Sequence, residues 1–82
     1  MKFTYKTNGV CSRNIHIEIE NDILLSVKYE GGCNGNLQGI GALVKGMHID
    51  DVIERLDGIR CGFKNTSCPA QLALALKKFK EQ

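Results

Sequence analysis

A strict alternation of apolar and polar residues over Ile15–Glu20 constrains the fold more than any other feature of the chain. Positions 15, 17 and 19 are isoleucines, and positions 16, 18 and 20 are polar. Successive side chains of a β-strand point to opposite faces of a sheet, so this pattern predicts a strand with one buried face and one solvated face. The isoleucine face needs an apolar cover, which the rest of the chain has to supply.

Two further strands are predicted beside this one. Residues 3–7 alternate before a turn dipeptide, and residues 23–29 are rich in β-forming side chains. Only Asn21 and Asp22 separate the second strand from the third, which predicts a tight hairpin. The first third of the chain is therefore predicted to be an antiparallel three-stranded meander, with Cys11 at the start of its second strand.

Three amphipathic segments follow the strands. Their apolar residues recur at helical spacing over about Leu37–Lys45, Ile49–Leu56 and Pro69–Lys80. We expect Asn36 and Asp50 to cap the first two helices, because Asn and Asp side chains accept hydrogen bonds from the first N–H groups of a helix. The prediction is an α+β fold, in which a three-stranded antiparallel meander is followed by two or three helices packed on one face.

Length and charge limit the class of protein. The 82 residues suit a single small domain over residues 1–82, since no linker or repeat divides them. A domain of this size is marginal on hydrophobic burial alone, so a metal, a cross-link or a partner subunit would help to stabilise it. The net charge of +2, with both signs interspersed, is not typical of a protein that binds nucleic acid.

The sequence also carries signals about location. The first six residues contain no apolar run of the kind found in signal peptides, and no segment is long and apolar enough to span a membrane. We therefore expect a cytoplasmic protein whose thiols stay reduced. Four cysteines in so short a cytoplasmic chain favour metal binding or redox activity over a disulfide framework. The alternative is that some of them are small buried apolar residues.

The most informative cysteine is Cys68, which directly precedes Pro69. Proline favours the first turn of a helix, so Cys68 is predicted to be the N-cap or its neighbour, where the helix dipole favours a thiolate. Cys33 stands before the first predicted helix in the same way. If both helices begin at one end of the sheet, these thiols meet there. Cys61 is close enough in sequence to join them, and Cys11 joins if the second strand starts at that end.

The hypothesis from the residues is a metal site formed by cysteines. The candidate ligands are Cys33, Cys61 and Cys68, with Cys11 as a further ligand. Soft thiolates select zinc or an iron–sulphur cluster over magnesium or calcium. The chain has no Cys-x-x-Cys pair of the common zinc-knuckle type, so purely structural cysteines remain the alternative. We expect both histidines, His16 and His48, to be solvated and not ligands.

The segment Thr66-Ser67-Cys68-Pro69 resembles the motif after which the TSCPD domain family is named. The loop at residues 32–36, Gly46 and the block at residues 62–73 extend the resemblance over nearly the whole chain. Ala70 stands where the family motif has aspartate. Members of the family occur as small free-standing proteins and at the C-terminus of adenosylcobalamin-dependent ribonucleotide reductases. The resemblance therefore implies a link to deoxynucleotide synthesis, with a ribonucleotide reductase as a partner.

A looser resemblance is to iron–sulphur cluster scaffold proteins. These also have a three-stranded meander, a Gly-Cys loop that opens a helix, and a late cysteine that opens the last helix. Cys33, Cys61 and Cys68 match the three scaffold cysteines in order, so this resemblance implies cluster binding by those residues. The acidic residue expected after the first cysteine is absent, because Asn34 and Gly35 stand there.

The residues favour an accessory or binding module over an independent enzyme. The carboxylates are scattered, and no histidine is placed beside a cysteine to form a nucleophile–base pair. The chain is also too short to hold the radical barrel and the cobalamin site of a reductase. Two alternatives stay open. One is a thiol redox partner or subunit of a ribonucleotide reductase that uses Cys61 and Cys68 as a dithiol pair. The other is a scaffold-like protein for iron–sulphur clusters.

Overall fold

The computed structural model describes residues 1–32 and 34–81 of the chain. It confirms the predicted α+β architecture, in which an antiparallel sheet comes first and helices follow. The elements in chain order are β1 (Lys2–Lys6), β2 (Ser12–Glu20), β3 (Ile23–Gly31), α1 (Asn34–Val44), α2 (Ile49–Leu56) and α3 (Cys68–Lys80). No helix among the described residues is long and apolar enough to cross a membrane.

The sheet is a meander with β2 in the centre. Its strand order is β1-β2-β3, and both pairs are antiparallel. Asn21 and Asp22 form the predicted hairpin turn between β2 and β3, with φ values of 53° and 63°. Asn and Asp tolerate this left-handed conformation better than most residues, and turns of this hand match the twist of the flanking strands.

The isoleucine face of β2 is buried under the helices, as the alternation predicts. Ile15, Ile17 and Ile19 are each at most 2% exposed. The helices contribute the apolar residues Val44, Ile49, Val52, Leu72, Ala75 and Leu76 to the same core. At the edge of the core the ring of Phe3 stacks on the ring of Phe79, with the centroids 5.6 Å apart. Burial of this face holds α3 on the sheet.

The predicted helix starts require two corrections. α1 begins at Asn34, so Asn36 lies inside the helix and is not its cap. α2 begins at Ile49 as predicted, but its N-cap is His48, whose Nδ1 accepts a hydrogen bond from the N–H of Asp50 at 3.1 Å. Imidazole is an uncommon cap, so a rule based on Asn and Asp places the cap two residues too late.

Gly41 allows α1 to approach β3 closely. A Cβ atom at this position would lie 2.8 Å from the carbonyl oxygen of Val27, which is closer than real Cβ contacts. At Gly39, one half-turn earlier, a Cβ atom would meet nothing within 4 Å. The close approach to β3 therefore occurs at Gly41 and not at Gly39.

These two glycines should respond oppositely to alanine. Gly39→Ala should stabilise the protein by about 0.5–1 kcal/mol, because alanine loses less backbone entropy in a helix. Gly41→Ala should destabilise it by about 1–3 kcal/mol, because α1 has to move away from a backbone carbonyl that cannot yield. Urea denaturation of both variants checks the prediction. Stabilisation by both alanines would show that α1 does not rest on β3.

Candidate functional site

The N-termini of β2 and α3 meet at one end of the sheet and bring two cysteines together. Cys11 directly precedes β2, and Cys68 is the first residue of α3. Their Sγ atoms lie 3.9 Å apart. A disulfide would need about 2.05 Å, so the sulphurs are not bonded to each other. Cys11 is exposed, whereas Cys68 is only 7% exposed. The pair therefore lies at the boundary between the core and solvent.

Ser67 fixes the start of α3 and with it the position of Cys68. Its Oγ accepts a hydrogen bond from the N–H of Ala70 at 3.1 Å and donates one to the carbonyl oxygen of Ile59 at 2.6 Å. Ser67 is therefore the N-cap, and Cys68 is the neighbour of the cap. A side chain in this position faces the positive end of the helix dipole.

Two polar residues that the sequence did not single out contact Cys68. Ser12 is buried, and its Oγ lies 3.2 Å from the Sγ of Cys68. The hydroxyl of Tyr29 donates a hydrogen bond to the carbonyl oxygen of Cys68 at 3.0 Å. Burial raises the pKa of Tyr29, and the nearby sulphur of Cys68 acts in the same direction, so this hydroxyl stays protonated as a donor.

Gln71 connects α3 to the loop that carries Cys11. This side chain is only 4% exposed, and its Oε1 accepts a hydrogen bond from the N–H of Asn8 at 3.1 Å. Its Nε2 donates to the Oγ1 of Thr66 at 3.0 Å. Because buried polar groups need such partners, Gln71 fixes the loop before β2 and the segment before α3 to each other.

The segment just before Cys33 lies against Cys11. Gly32 has a φ of +81°, and a Cβ atom on it would lie 3.2 Å from the Sγ of Cys11. Cys33 follows Gly32 directly in the chain and is itself outside the described residues. In the described part of the chain, Cys11 therefore lies close to Cys68 and also close to Gly32, the residue that precedes the third candidate ligand.

Cys61 lies on an exposed loop between α2 and α3. Its N–H donates to the carbonyl oxygen of Thr66 at 3.1 Å, and its own carbonyl oxygen accepts from the N–H of Lys64 at 3.0 Å. Within residues 1–32 and 34–81, no three histidine, cysteine or acidic side chains are grouped so that they could hold a metal ion. Two of the four candidate cysteines are therefore in contact in the described part of the chain.

Both histidines have surface roles. His16 lies on the solvated face of β2, where its Nδ1 is 2.9 Å from the Oγ1 of Thr4 and its Nε2 is 3.1 Å from a carboxylate oxygen of Glu30. His48 caps α2. The hydrogen-bond partners of His16 are therefore Thr4 and Glu30, and that of His48 is the N–H of Asp50.

The geometry of the thiol pair fits two ligands of one metal ion. Tetrahedral zinc binds thiolates at about 2.3 Å, which separates two sulphur ligands by about 3.8 Å. The observed separation of 3.9 Å between Cys11 and Cys68 agrees with that distance. The donor set is also suitable, since soft sulphur ligands select zinc and iron–sulphur clusters.

Comparison with known proteins gives one family. The family model for the TSCPD domain matches residues 3–80, which is nearly the whole chain. The match includes both members of the thiol pair, the loop between α2 and α3, and position 70, where this chain has alanine. No curated protein and no solved structure matches the chain.

Proposed function

The chain belongs to the TSCPD domain family, and from this premise we propose that it is a metal-binding accessory module and not an enzyme by itself. The observation that carries the proposal is the 3.9 Å separation of the Cys11 and Cys68 sulphurs, which suits two thiolates on one metal ion. Cys33 is proposed as the third ligand, because Gly32 before it lies against Cys11. Cys61 is proposed as the fourth.

The residues around the pair hold it in place for such a role. Ser12 contacts the sulphur of Cys68, and Tyr29 holds the carbonyl oxygen of the same residue. Contacts of this kind orient metal ligands in proteins and tune their basicity. A zinc ion or a small iron–sulphur cluster, when bound, would supply folding free energy that a domain of this size needs.

The biological setting follows from the family resemblance. Domains similar to this one occur at the C-terminus of ribonucleotide reductases, so we propose a ribonucleotide reductase as the partner and the cytoplasm as the location. The role is structural or regulatory in this proposal. The sulphur of Cys68 contacts Cys11 and Ser12, and its carbonyl oxygen accepts a hydrogen bond from Tyr29, so none of these partners of Cys68 is a histidine that could act as a base.

The decisive test is metal content. Protein prepared without oxygen should contain about one zinc ion, or the iron and sulphide of one small cluster, per chain. Cys68→Ser and Cys11→Ser should each lose most of this metal, because each removes one sulphur ligand. Elemental analysis gives the stoichiometry, and a visible absorption spectrum separates zinc from an iron–sulphur cluster. Cys61→Ser then tests the fourth ligand. Loss of metal in this variant would indicate four sulphur ligands, and retention of metal would indicate three sulphur ligands with an open position.

A control is needed for loss of metal through unfolding. Leu76→Ala removes core volume from the same helix without touching a thiol, since Leu76 is fully buried among apolar residues. At a temperature where circular dichroism shows it folded, this variant should keep its metal. A wild-type protein that is folded and metal-free under these conditions, with Cys68→Ser equally stable, would contradict the proposal.

A second candidate function is supported by the same distance. Two adjacent thiols can act as a dithiol redox pair, and the structure places Cys11 beside Cys68, whereas the sequence suggested Cys61. In that role a disulfide of the partner protein would oxidise both thiols, which forms a Cys11–Cys68 disulfide and releases two partner thiols. Thiol titration separates the candidates. A redox pair reacts directly and reversibly, whereas metal-bound thiols react only after a chelator is added.

A further inference from the structure

The sheet has two edges, and within residues 1–32 and 34–81 only the β3 edge forms hydrogen bonds with another segment. The backbone of Leu24 in β3 donates to Met47 and accepts from Gly46. Further along β3, α1 lies against the carbonyl oxygen of Val27 at Gly41. At the other edge, β1 pairs with β2 alone. An uncovered edge strand offers N–H and C=O groups with which another strand can pair.

The hydrogen-bond register decides which groups of β1 face outward. Met1 and Ile19 exchange both of their backbone hydrogen bonds, and the N–H of Thr7 donates to the carbonyl oxygen of Arg13. Hydrogen-bonded pairs alternate with non-hydrogen-bonded pairs in an antiparallel ladder. Residues 3 and 5 therefore face β2, and residues 2, 4 and 6 face away from it. The backbone groups of residues 2, 4 and 6 have no hydrogen bond to any described residue.

The side chains of β1 are polar and basic on one face of the sheet and aromatic on the other. Lys2, Thr4 and Lys6 are exposed on the solvated face. Phe3 and Tyr5 are half-buried on the face that carries the helices, where they pack against the core. An added strand would place its own side chains on these two faces in alternation.

The charge of the two lysines is only partly balanced by the neighbouring strand. Glu18 of β2 lies opposite Lys2 in the register, but these two side chains form no ion pair. Lys6 lies opposite the neutral Asn14, whose side-chain amide donates to Glu30 of β3. The solvated side of the β1 edge therefore carries a net positive charge.

Helix α3 forms the other side of this edge. The ring of Phe79 stacks on the ring of Phe3, and the Nζ of Lys78 lies 5.4 Å from the ring centroid of Tyr5. Apolar side chains of an added strand would extend this aromatic surface. Lys78 adds a third positive charge beside β1.

We propose that the β1 edge binds an extended acidic segment of a partner protein, which adds to the sheet as an antiparallel fourth strand. The outward-facing backbone groups of residues 2, 4 and 6 require an extended peptide as the occupant. Acidic side chains opposite Lys2 and Lys6 would form cross-strand ion pairs, and apolar side chains between them would contact Phe3 and Tyr5. The segment therefore alternates polar and apolar residues. This proposal does not depend on whether the thiol pair binds a metal.

Charge disfavours a second copy of this chain as the occupant. Two β1 strands paired antiparallel about Thr4 would place Lys2 of each copy opposite Lys6 of the other. Like charges directly opposite each other destabilise a strand pair, and lysines on edge strands oppose self-association. The same two lysines therefore favour an acidic strand over a second copy.

Two matched peptides test the charge requirement. The acidic peptide Thr-Glu-Val-Thr-Val-Glu-Thr, with both ends capped, should produce saturable changes in the backbone NMR resonances of β1. It should also slow hydrogen exchange at the N–H groups of Thr4 and Lys6, which would then donate to the peptide. A peptide with Lys in place of both Glu residues should bind at least about fivefold more weakly, because it places like charges opposite each other.

N-methylation of the acidic peptide tests the strand geometry. In the proposed register, the N–H groups of both Glu residues face β1 and those of both Val residues face away from it. Methylation of the two Glu nitrogens removes two donors and adds bulk at the contact, so affinity should fall at least about tenfold. Methylation of the two Val nitrogens adds the same groups on the outer side and should leave affinity within about threefold.

Variants of the protein locate the charge. Lys2→Gln combined with Lys6→Gln should weaken binding of the acidic peptide by about threefold to tenfold. Lys28→Gln combined with Lys45→Gln removes the same charge from β3 and from the residue after α1, away from the β1 edge. This control should leave affinity within about twofold, because screening by salt weakens charges at such distances.

Several results would overturn the proposal. They are an absence of binding by the acidic peptide, equal binding of the lysine peptide, equal effects of the two methylations, and an equal loss of affinity in the Lys28/Lys45 double variant. Protection of the Thr4 and Lys6 N–H groups that rises with protein concentration, without any peptide, would also overturn it, because a second copy would then occupy the edge.

Discussion

Replacing Leu72 with alanine is expected to lower the free energy of unfolding by about 2–5 kcal/mol. Leu72 lies one turn after Cys68 on α3 and is fully buried in the core that α3 forms with the sheet. Alanine at this position loses the transfer free energy of the side chain and leaves a cavity. A domain of 82 residues is typically stable by only about 4–12 kcal/mol, so this single change removes a large share of the total.

Leu74 provides a matched control on the same helix. Its side chain is 38% exposed, and it is not part of the core cluster. Leu74→Ala should therefore cost less than about 1 kcal/mol, since much of the side chain already contacts solvent. Urea denaturation of both variants, with equal m-values, gives the comparison. Similar losses of unfolding free energy at positions 72 and 74 would mean that α3 does not pack on the sheet through the face that carries Leu72.

The Leu72→Ala variant also tests whether core packing controls the exposure of Cys68. Cys68 is buried from solvent because α3 packs on the sheet through Leu72, Ala75 and Leu76. Loosening the helix should expose the thiol more often, since local opening becomes easier when core contacts are removed. The rate at which a thiol reagent modifies Cys68 in native protein should therefore rise in Leu72→Ala and stay near the wild-type rate in Leu74→Ala.

Periodicity in the sequence was enough to predict the elements of this fold. The isoleucine alternation of β2 has one interpretation as a half-buried strand, and the i, i+3, i+4 spacing of α3 identifies its buried face. The caps were less predictable. His48 caps α2 through a ring nitrogen, and α1 starts three residues before Leu37. Helix ends depend on local hydrogen bonds that apolar periodicity does not report.

The contacts at the candidate site were harder to predict from the sequence than the helices and strands. Cys61 is seven positions from Cys68 in sequence, but the described contact of Cys68 is with Cys11, which is 57 positions away. That contact arises because α3 packs with its N-terminus at the end of the sheet where β2 begins. Ser12 and Tyr29 contact Cys68 for the same reason. The place of Cys11 depends on the end of the sheet at which the second strand starts, and the sequence pattern does not report that end.

Gly32→Ala should also lower the free energy of unfolding by about 2–5 kcal/mol. Two separate effects add. Gly32 has a φ of +81°, a left-handed conformation that costs an alanine about 1–2 kcal/mol. A Cβ atom would also lie 3.0 Å from the side chain of Leu37, 3.1 Å from the backbone nitrogen of Ser12 and 3.2 Å from the sulphur of Cys11.

Gly58→Ala measures the cost of a positive φ without the steric contacts of a Cβ atom. Gly58 has a similar φ of +77°, but a Cβ atom there would meet nothing within 4 Å. Its replacement should therefore cost only the conformational term of about 1–2 kcal/mol. Chemical denaturation of the two variants gives the difference between them. A loss at Gly32 no larger than the loss at Gly58 would show that the segment before Cys33 does not rest against Cys11. In that case the support for Cys33 as a third ligand would be lost, although the Cys11–Cys68 pair would remain.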